Sequence, residues 1–390
     1  MESEGKTPGK LGFGGLRLPL TDAGDQKSVD FAELCSMVDL FLARGCTHFD
    51  TAYTYHGYRS EAAIREALVR RHRREEFSLT TKLAMHHVKC SADQEKLFVE
   101  QLENCGVSYF DYYFLHNIGA PAYRTACAVD SFGFGQRLKR EGRIHYFGIS
   151  FHDTPELLDE ILTAHPELDV VMLQINYLDW ENPGIQSRRC YEVARKHSIP
   201  VFVMEPCKGG LLANLPEKAE RLLKSFAPDA TAASWAVRFA AGLPGVSRVL
   251  SGMSTVEQVL DNTSYMAEFV PLGEEELRIL DEVVSILQEE REISCTACRY
   301  CEEVCPKQIA IPDYFGLYNS AKRDAACGFS SQFVYYLNIA GARGRASECL
   351  ECGRCEAACP QHLKISGYLK EVSAAFDVTP AFFRGGGTRE

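Results

Sequence analysis

One cysteine spacing occurs twice near the C-terminus and constrains this chain more than any other feature: Cys295-x2-Cys298-x2-Cys301-x3-Cys305-Pro306, then Cys349-x2-Cys352-x2-Cys355-x3-Cys359-Pro360. Four thiolates at this spacing, closed by proline, form the ligand run of a 4Fe-4S cluster, so two clusters are expected. Zinc also accepts cysteines two residues apart, but a zinc site closes with four ligands, and a four-cysteine run ending in proline suits a cubane better. Disulfides would need an oxidising compartment and usually a small secreted domain. The repeat continues past the ligands, since Ile311 and Tyr314 recur as Ile365 and Tyr368, each 54 residues later.

The paired runs resemble those of two-cluster bacterial ferredoxins. That resemblance implies a crossed ligand set, with Cys295, Cys298, Cys301 and Cys359 on one cluster and Cys349, Cys352, Cys355 and Cys305 on the other. Residues 306–348 are long for a compact ferredoxin hairpin, and stretches such as Ser331 to Ala340 suit helices, so the module resembles the all-helical ferredoxin type. Eight further cysteines (Cys35, Cys46, Cys90, Cys105, Cys127, Cys190, Cys207 and Cys327) have no partner spacing, and most are expected as small buried hydrophobes. So many thiols beside oxygen-sensitive clusters point to a reducing cytoplasm, that of an anaerobe. Met1 to Lys10 is polar, so no secretory signal is expected, and no apolar run has the length of a membrane span.

With 390 residues, 46% of them hydrophobic, two domains are expected: a barrel over residues 1–285 and a ferredoxin-like domain over 286–390. The net charge of -11 is uneven, because residues 291–390 hold 12 basic and 11 acidic side chains and the acidic excess lies before them. No basic stripe exists, which argues against nucleic-acid binding. The run Arg70, Arg71, Arg73, Arg74 reads as a solvated helix end. The first ten residues and Arg384 to Glu390 are expected to be disordered.

From residue 10 onward, short β-prone segments alternate with amphipathic helical ones, the signature of parallel strands joined by crossovers. Eight strands are predicted: Leu11 to Leu16, Thr47 to Thr51, Ser78 to Lys82, Tyr109 to His116, Tyr146 to Ser150, Val170 to Asn176, Val201 to Glu205 and Arg248 to Gly252. Between them, Phe31 to Arg44, Glu61 to Arg70, Glu95 to Cys105 and Arg188 to His197 carry apolar residues at helical spacing. Eight such units make an α/β fold, a (β/α)8 TIM barrel, followed by a small mostly helical iron-sulfur domain. Gly12-Phe13-Gly14-Gly15 lacks the last glycine of a dinucleotide loop and its following helix, so a Rossmann site is not expected.

Several predicted strands end in residues capable of chemistry, and the active site of a TIM barrel lies at that edge. Asp50-Thr-Ala-Tyr53-Thr-Tyr55, Thr80-Thr81-Lys82, Asp111-Tyr-Tyr-Phe-Leu-His116, Gly148-Ile-Ser150 and Gln174 together resemble the aldo-keto reductase family between about residues 10 and 270. The resemblance implies a catalytic tetrad of Tyr55, Lys82, Asp50 and His116. A carbonyl gaining hydride at carbon must gain a proton at oxygen, and Tyr55 is the implied acid. Lys82 would draw its phenol pKa down, Asp50 would hold Lys82, and His116 would orient the carbonyl. Tyr53 and Tyr58 are expected to pack in the wall.

The resemblance also implies NADPH or NADH lying across the strand edges, with Ser150 and Gln174 at its carboxamide. Phe151 replaces a usual asparagine, and Met204 stands where an aromatic ring commonly covers the nicotinamide. Ser251, Gly252, Thr255, Gln258 and Asn262 match the loop and helix start that take the adenosine phosphates. Cations that often grip a 2'-phosphate are replaced by Gly252 and Gln258, which leaves NADPH preference over NADH in doubt. His56, His86, His87, Asn117, His152, Asp179 and Trp180 are expected around a substrate pocket, and short loops after strands two to four suggest an open one. Cys207 is weighed as a redox thiol.

The expected function is therefore carbonyl–alcohol interconversion on a small-molecule substrate with a nicotinamide cofactor, the clusters serving a ferredoxin or other redox partner. Hydride moves two electrons together whereas a cluster passes one, and no flavin motif is visible. The alternatives are a ferredoxin-linked electron-transfer protein or single-electron reductase using the barrel as scaffold, and clusters that are purely structural.

Overall fold

The computed structural model describes residues 9–289, 292–324 and 331–377. Residues 1–8, the tail from 378 and Cys327 fall outside the described residues, and with them most of the two termini expected to be disordered. Eight parallel strands close into a barrel: β1 (Leu11–Gly14), β2 (His48–Asp50), β3 (Ser78–Ala84), β4 (Phe110–Ile118), β5 (Ile144–Phe151), β6 (Val170–Gln174), β7 (Val201–Met204) and β8 (Val246–Ser251). The last strand pairs with the first, Leu11 opposite Val249. Strands buried on both faces need apolar side chains on each, and β6 is buried at every position. Phe114, Val170, Met172, Phe202 and Leu250 fill the barrel interior, whereas Phe13, Phe49, Leu79 and Leu83 join the larger core shared with the surrounding helices.

The helix Phe31–Ala43 shows why these crossovers form where they do. Asp30 caps it by accepting from the Ala32 and Glu33 amides, and Leu34, Met37, Val38 and Phe41 bury one face. Of the arginine run expected to be solvated, Arg74 departs from the expectation. Its guanidinium lies 4.0 Å over the Tyr109 ring and pairs with Asp111, both partners being largely buried. Among the described residues, no helix is long and apolar enough to cross a membrane.

After the barrel, the C-terminal module is helical and internally duplicated. Short helices Tyr300–Glu303 and Arg354–Ala357 sit within the two cysteine runs, and helices Ile311–Asp324 and Ile365–Phe376 follow them. Left-handed backbone at Ala297, Arg299 and Gln308 recurs at Glu351, Gly353 and His362, so the offset seen in the sequence also holds for conformation. An additional helix, Gln332–Ala340, belongs to the segment between the runs. Together with Ile311–Asp324 it lies on the barrel at the loops after β4, β5 and β6. Asn338 donates to the His152 carbonyl at 2.8 Å and Ser320 to Asp179 at 3.4 Å. That contact lays the module over the short barrel loops after β4, β5 and β6.

Candidate active site and cluster ligands

Asp50 ends β2 and Lys82 lies within β3, on neighbouring strands whose register pairs Asp50 with Thr80. Lys82 Nζ reaches Asp50 Oδ1 at 2.8 Å, Asp50 Oδ2 at 2.7 Å and the Thr51 carbonyl at 2.8 Å, and both side chains are buried. A turn after β2, in which the Tyr55 amide donates to the Ala52 carbonyl, swings Tyr55 back over this pair. Lys82 Nζ lies 4.8 Å from the centre of the Tyr55 ring. The His116 ring stands 5.8 Å away and edge-on to that phenol. The four residues are thus brought together.

Their electrostatics differ from the expectation in one respect. Burial opposes the ammonium of Lys82, but its neighbours, the Asp50 carboxylate first and then Tyr55, outweigh it and hold its pKa above the ordinary value. Burial is also the largest influence on Tyr55, and it raises the phenol pKa; Lys82 pulls the pKa down, and the Asp50 carboxylate offsets part of that pull. Tyr55 is therefore a neutral phenol with a raised pKa, the reverse of the lowered one expected. For His116, burial and the Lys82 charge depress the pKa well below the ordinary range, so the imidazole is neutral.

A cleft of about 530 Å³ runs from Asp50 and Tyr55 outward along the ends of β7 and β8. Met204, Ser251, Gly252, Gln258 and Asn262 line it, and Thr255 caps the adjoining helix Val256–Ala267 from just outside the lining. Ser150 and Gln174 lie beyond the lining, with their polar atoms engaged elsewhere. Ser150 Oγ accepts from the Asn117 amide at 2.8 Å, and Gln174 Nε2 donates to Asp179 at 2.9 Å. At the outer end the Val256 amide of the helix and the Ser254 amide just before it are already answered. Glu33 accepts from Val256 at 2.8 Å and Gln258 from Ser254 at 2.7 Å.

Sequence reasoning passed over Arg17, which lines the cleft and pairs with Glu205 at 3.3 Å. The available signal was its place just after β1, the position searched for polar residues on other strands. Gly209 and Gly210, with φ of 66° and 98°, bring bare backbone along the same wall. Cys207 lines the cleft too, yet burial first, with Glu205 adding to it, lifts its thiol to about 12, which makes a redox role unfavourable.

The eight repeated cysteines divide into two rings. Cys295, Cys298, Cys301 and Cys359 surround one cavity with Phe315 and Ile365; Cys305, Cys349, Cys352 and Cys355 surround another with Ile309 and Leu369. Each ring takes three sulfurs from one run and one from the other, the crossed set that the ferredoxin resemblance implies. Among the described residues, no three or more His, Cys, Asp or Glu side chains converge on a single-ion position. A ring of sulfurs spaced around a cavity suits a polynuclear cluster, and the Ala297 amide donates to Cys295 Sγ at 3.4 Å as it would to a thiolate ligand.

Residues 10–285 match the sequence profile of the Aldo/keto reductase family. The chain belongs to that family. Residues 294–363 match the 4Fe-4S dicluster domain, so this aldo/keto reductase also carries an iron-sulfur domain. An uncharacterised oxidoreductase of Bacillus subtilis, YqkF, is 25% identical over 278 residues, which cover 63% of this chain and 85% of that protein. A solved aldo-keto reductase from Bacillus halodurans, AKR11C1 in its holo form, is 25% identical with a TM-score of 0.55 and covers 70% of this chain and 91% of its own. One from Klebsiella pneumoniae in complex with NADPH shares the fold at 20% identity, with a TM-score of 0.56, covering 70% of this chain and 90% of that chain.

The other polar loop residues of this aldo/keto reductase divide by their partners. His56 is structural, accepting from the Leu18 amide at 3.1 Å and lying 3.0 Å from the Gln26 carbonyl. The His86 and His87 rings meet at a tilt with centroids 4.2 Å apart, and burial lowers His86 to about 4. Tyr53 and Tyr58 pack edge-on at 5.4 Å, and Tyr58 bonds His87. Asp179 forms a completely buried pair with Lys208, at 2.6 Å, and also accepts from Asn176 at 2.8 Å. Trp180 packs on Phe239. His152 and Asn117 lie under the helix Gln332–Ala340.

Proposed function

We propose that this aldo/keto reductase interconverts a small carbonyl compound and its alcohol with NADH or NADPH, and that its two clusters link it to a one-electron partner such as a ferredoxin. The arrangement of Lys82 and His116 around Asp50 and Tyr55, which line the inner end of the cleft, carries the reading. Bound there, a nicotinamide supplies hydride to carbon, while 4Fe-4S clusters pass single electrons. His116, a neutral imidazole, donates a hydrogen bond that orients the carbonyl oxygen. Tyr55, protonated at neutral pH, gives that oxygen its proton as negative charge develops on it. Lys82 stabilises the resulting phenolate, and Asp50 keeps Lys82 charged and in place. Met204 covers the inner end of the cleft, with Arg17 the nearest cation for the phosphates. Because Glu33 places a carboxylate at the helix start, Gly252 and Gln258 carry no charge, and Arg17 beside Gly252 is already paired with Glu205, the outer end favours NADH over NADPH.

A specific observation favours a second reading, in which the site takes electrons singly. Phe315 lines the ring of Cys295, and Ser320 on the same helix, about 7.5 Å further along its axis, bonds Asp179, which bonds Gln174. Anaerobic titration of the reconstituted protein with NADH and NADPH, followed by absorbance and EPR with a carbonyl panel, separates the two. Turnover that oxidises dinucleotide without a cluster signal supports hydride transfer alone, and cluster reduction by dinucleotide supports the linked form. No turnover and no dinucleotide oxidation rejects the carbonyl reductase reading.

A further inference from the structure

Both residues assigned to the nicotinamide carboxamide are tethered to the iron-sulfur module. Ser331 Oγ donates to Gln174 Oε1 at 2.9 Å while Gln174 Nε2 donates to Asp179 Oδ2 at 2.9 Å, so both arms of the amide are fixed. Asn338 Nδ2 donates to Asn117 Oδ1 at 3.3 Å, and the Asn117 amide in turn donates to Ser150 Oγ. The same Asn338 nitrogen reaches the His152 carbonyl, and Tyr335 packs on the His152 ring at 5.2 Å.

Glycines on both sides make this contact close. A Cβ on Gly119 would lie 2.4 Å from Asn338, and one on Gly184 would lie 2.7 Å from both the Asp313 carbonyl and Leu317. From the module side, a Cβ on Gly341 would meet Pro121 at 2.6 Å and one on Gly316 would meet Pro183 at 2.9 Å. Gly119 has φ of -143°, which any residue adopts, so its reason for being glycine is the approach of Asn338. The cysteine rings add a second constraint. Cys305 and Cys349 bracket the segment that carries Ser331 and Asn338, and both belong to one ring, so ligation would close the base of that segment.

We propose that the module is a working wall of the reductase site, in which Ser331 and Asn338 are positioning residues that fix Gln174 and Ser150. Grip on the dinucleotide then depends on module docking, because side chains held in one geometry lose less freedom on binding. The part concerning dinucleotide grip rests on the proposed function, whereas the coupling of module to barrel loops does not.

The test uses the full chain with clusters assembled, as Ser331→Ala, Asn338→Ala and Gly119→Ala variants, iron content confirming equal loading. Calorimetry with NADH is expected to show Kd weakened about fivefold by Ser331→Ala or Asn338→Ala, the ~1 kcal/mol of one hydrogen bond. Ser331→Thr, which keeps the hydroxyl, is expected to restore it. Deuterium exchange is expected to rise at residues 174–179 for Ser331→Ala and at 117–120 and 150–153 for Asn338→Ala and Gly119→Ala, with residues 11–14 unchanged. Exchange that stays unchanged in those segments overturns the proposal, as does an unchanged Kd in both alanine variants. If no variant, nor the parent, binds dinucleotide, the proposed function fails by itself and the exchange measurement still decides the wall.

Discussion

Two buried ammonium–carboxylate pairs stand at the rim of the same barrel, and only one has the surroundings for chemistry. Lys82 with Asp50 and Lys208 with Asp179 are equally hidden, with side-chain exposures of 1% and 5% in the first and 1% and 0% in the second. At the first, a phenol lies against the ammonium and a cleft opens onto it. At the second, Asn176, Gln174 and Ser320 surround the carboxylate and the module covers it. Burial of an ion pair is thus no mark of function; what differs is whether a titratable group stands between the charge and an accessible space.

The comparison breaks most sharply under substitution. Tyr55→Phe is expected to lower kcat for carbonyl reduction by ~10²- to 10⁴-fold while leaving the unfolding midpoint in denaturant unchanged. Equal losses of activity and stability would place the phenol in the packing instead. Lys208→Met is expected to do the opposite, costing ~3–5 kcal/mol of stability by leaving Asp179 buried and uncompensated. Urea unfolding measures that loss, and residual kcat at temperatures where the variant stays folded should remain within tenfold of the parent. A kcat as low as that of Tyr55→Phe would give Lys208 a place in the chemistry.

How each pair came to be recognised, or missed, follows from range. Eight strands were legible because a parallel strand buried on both faces is a local apolar run, and the resemblance that pointed to Asp50, Lys82 and His116 rests on motifs carried by three successive strands. The cysteine rings were legible because a repeat carries its own register. The wall over the site was not, since Ser331 and Gln174 are separated by 157 positions and Asn338 and Asn117 by 221, and no local pattern reports such pairs. Lys208 follows a turn whose left-handed backbone has no apolar period to announce it. The direction of the Tyr55 shift was missed for another reason. Proximity of an ammonium can be read from motif order, but the burial that outweighs it depends on packing from the whole rim.

That direction carries a pH signature. Reduction needs the phenol protonated, and because its pKa is raised above the usual 10.0, the rate should hold through neutral and mildly alkaline pH and fall only as pH passes that raised value. Oxidation of the alcohol needs the phenolate, so its rate should climb over the same alkaline range. Initial rates in both directions between pH 6 and pH 11 check this; a fall in reduction near neutrality would mean that Lys82 does lower the phenol.

The smallest effect concerns a third charge satisfied from within. Glu33 accepts from the Val256 amide at 2.8 Å, at the helix start where the cleft ends, so its carboxylate answers the helix as Asp179 answers Lys208. Glu33→Gln retains an acceptor oxygen for that amide but removes the negative charge. A charge near a helix N-terminus is worth ~0.3–1 kcal/mol, so NADPH should gain about two- to fivefold in Kd relative to NADH, with stability changed by less than ~1 kcal/mol. Calorimetry with both dinucleotides reads the ratio directly. A ratio that does not move would show that the carboxylate is too well satisfied by the helix to be felt across the cleft, and the contrast between charges sealed within and charges facing a ligand would then extend to Glu33 as well.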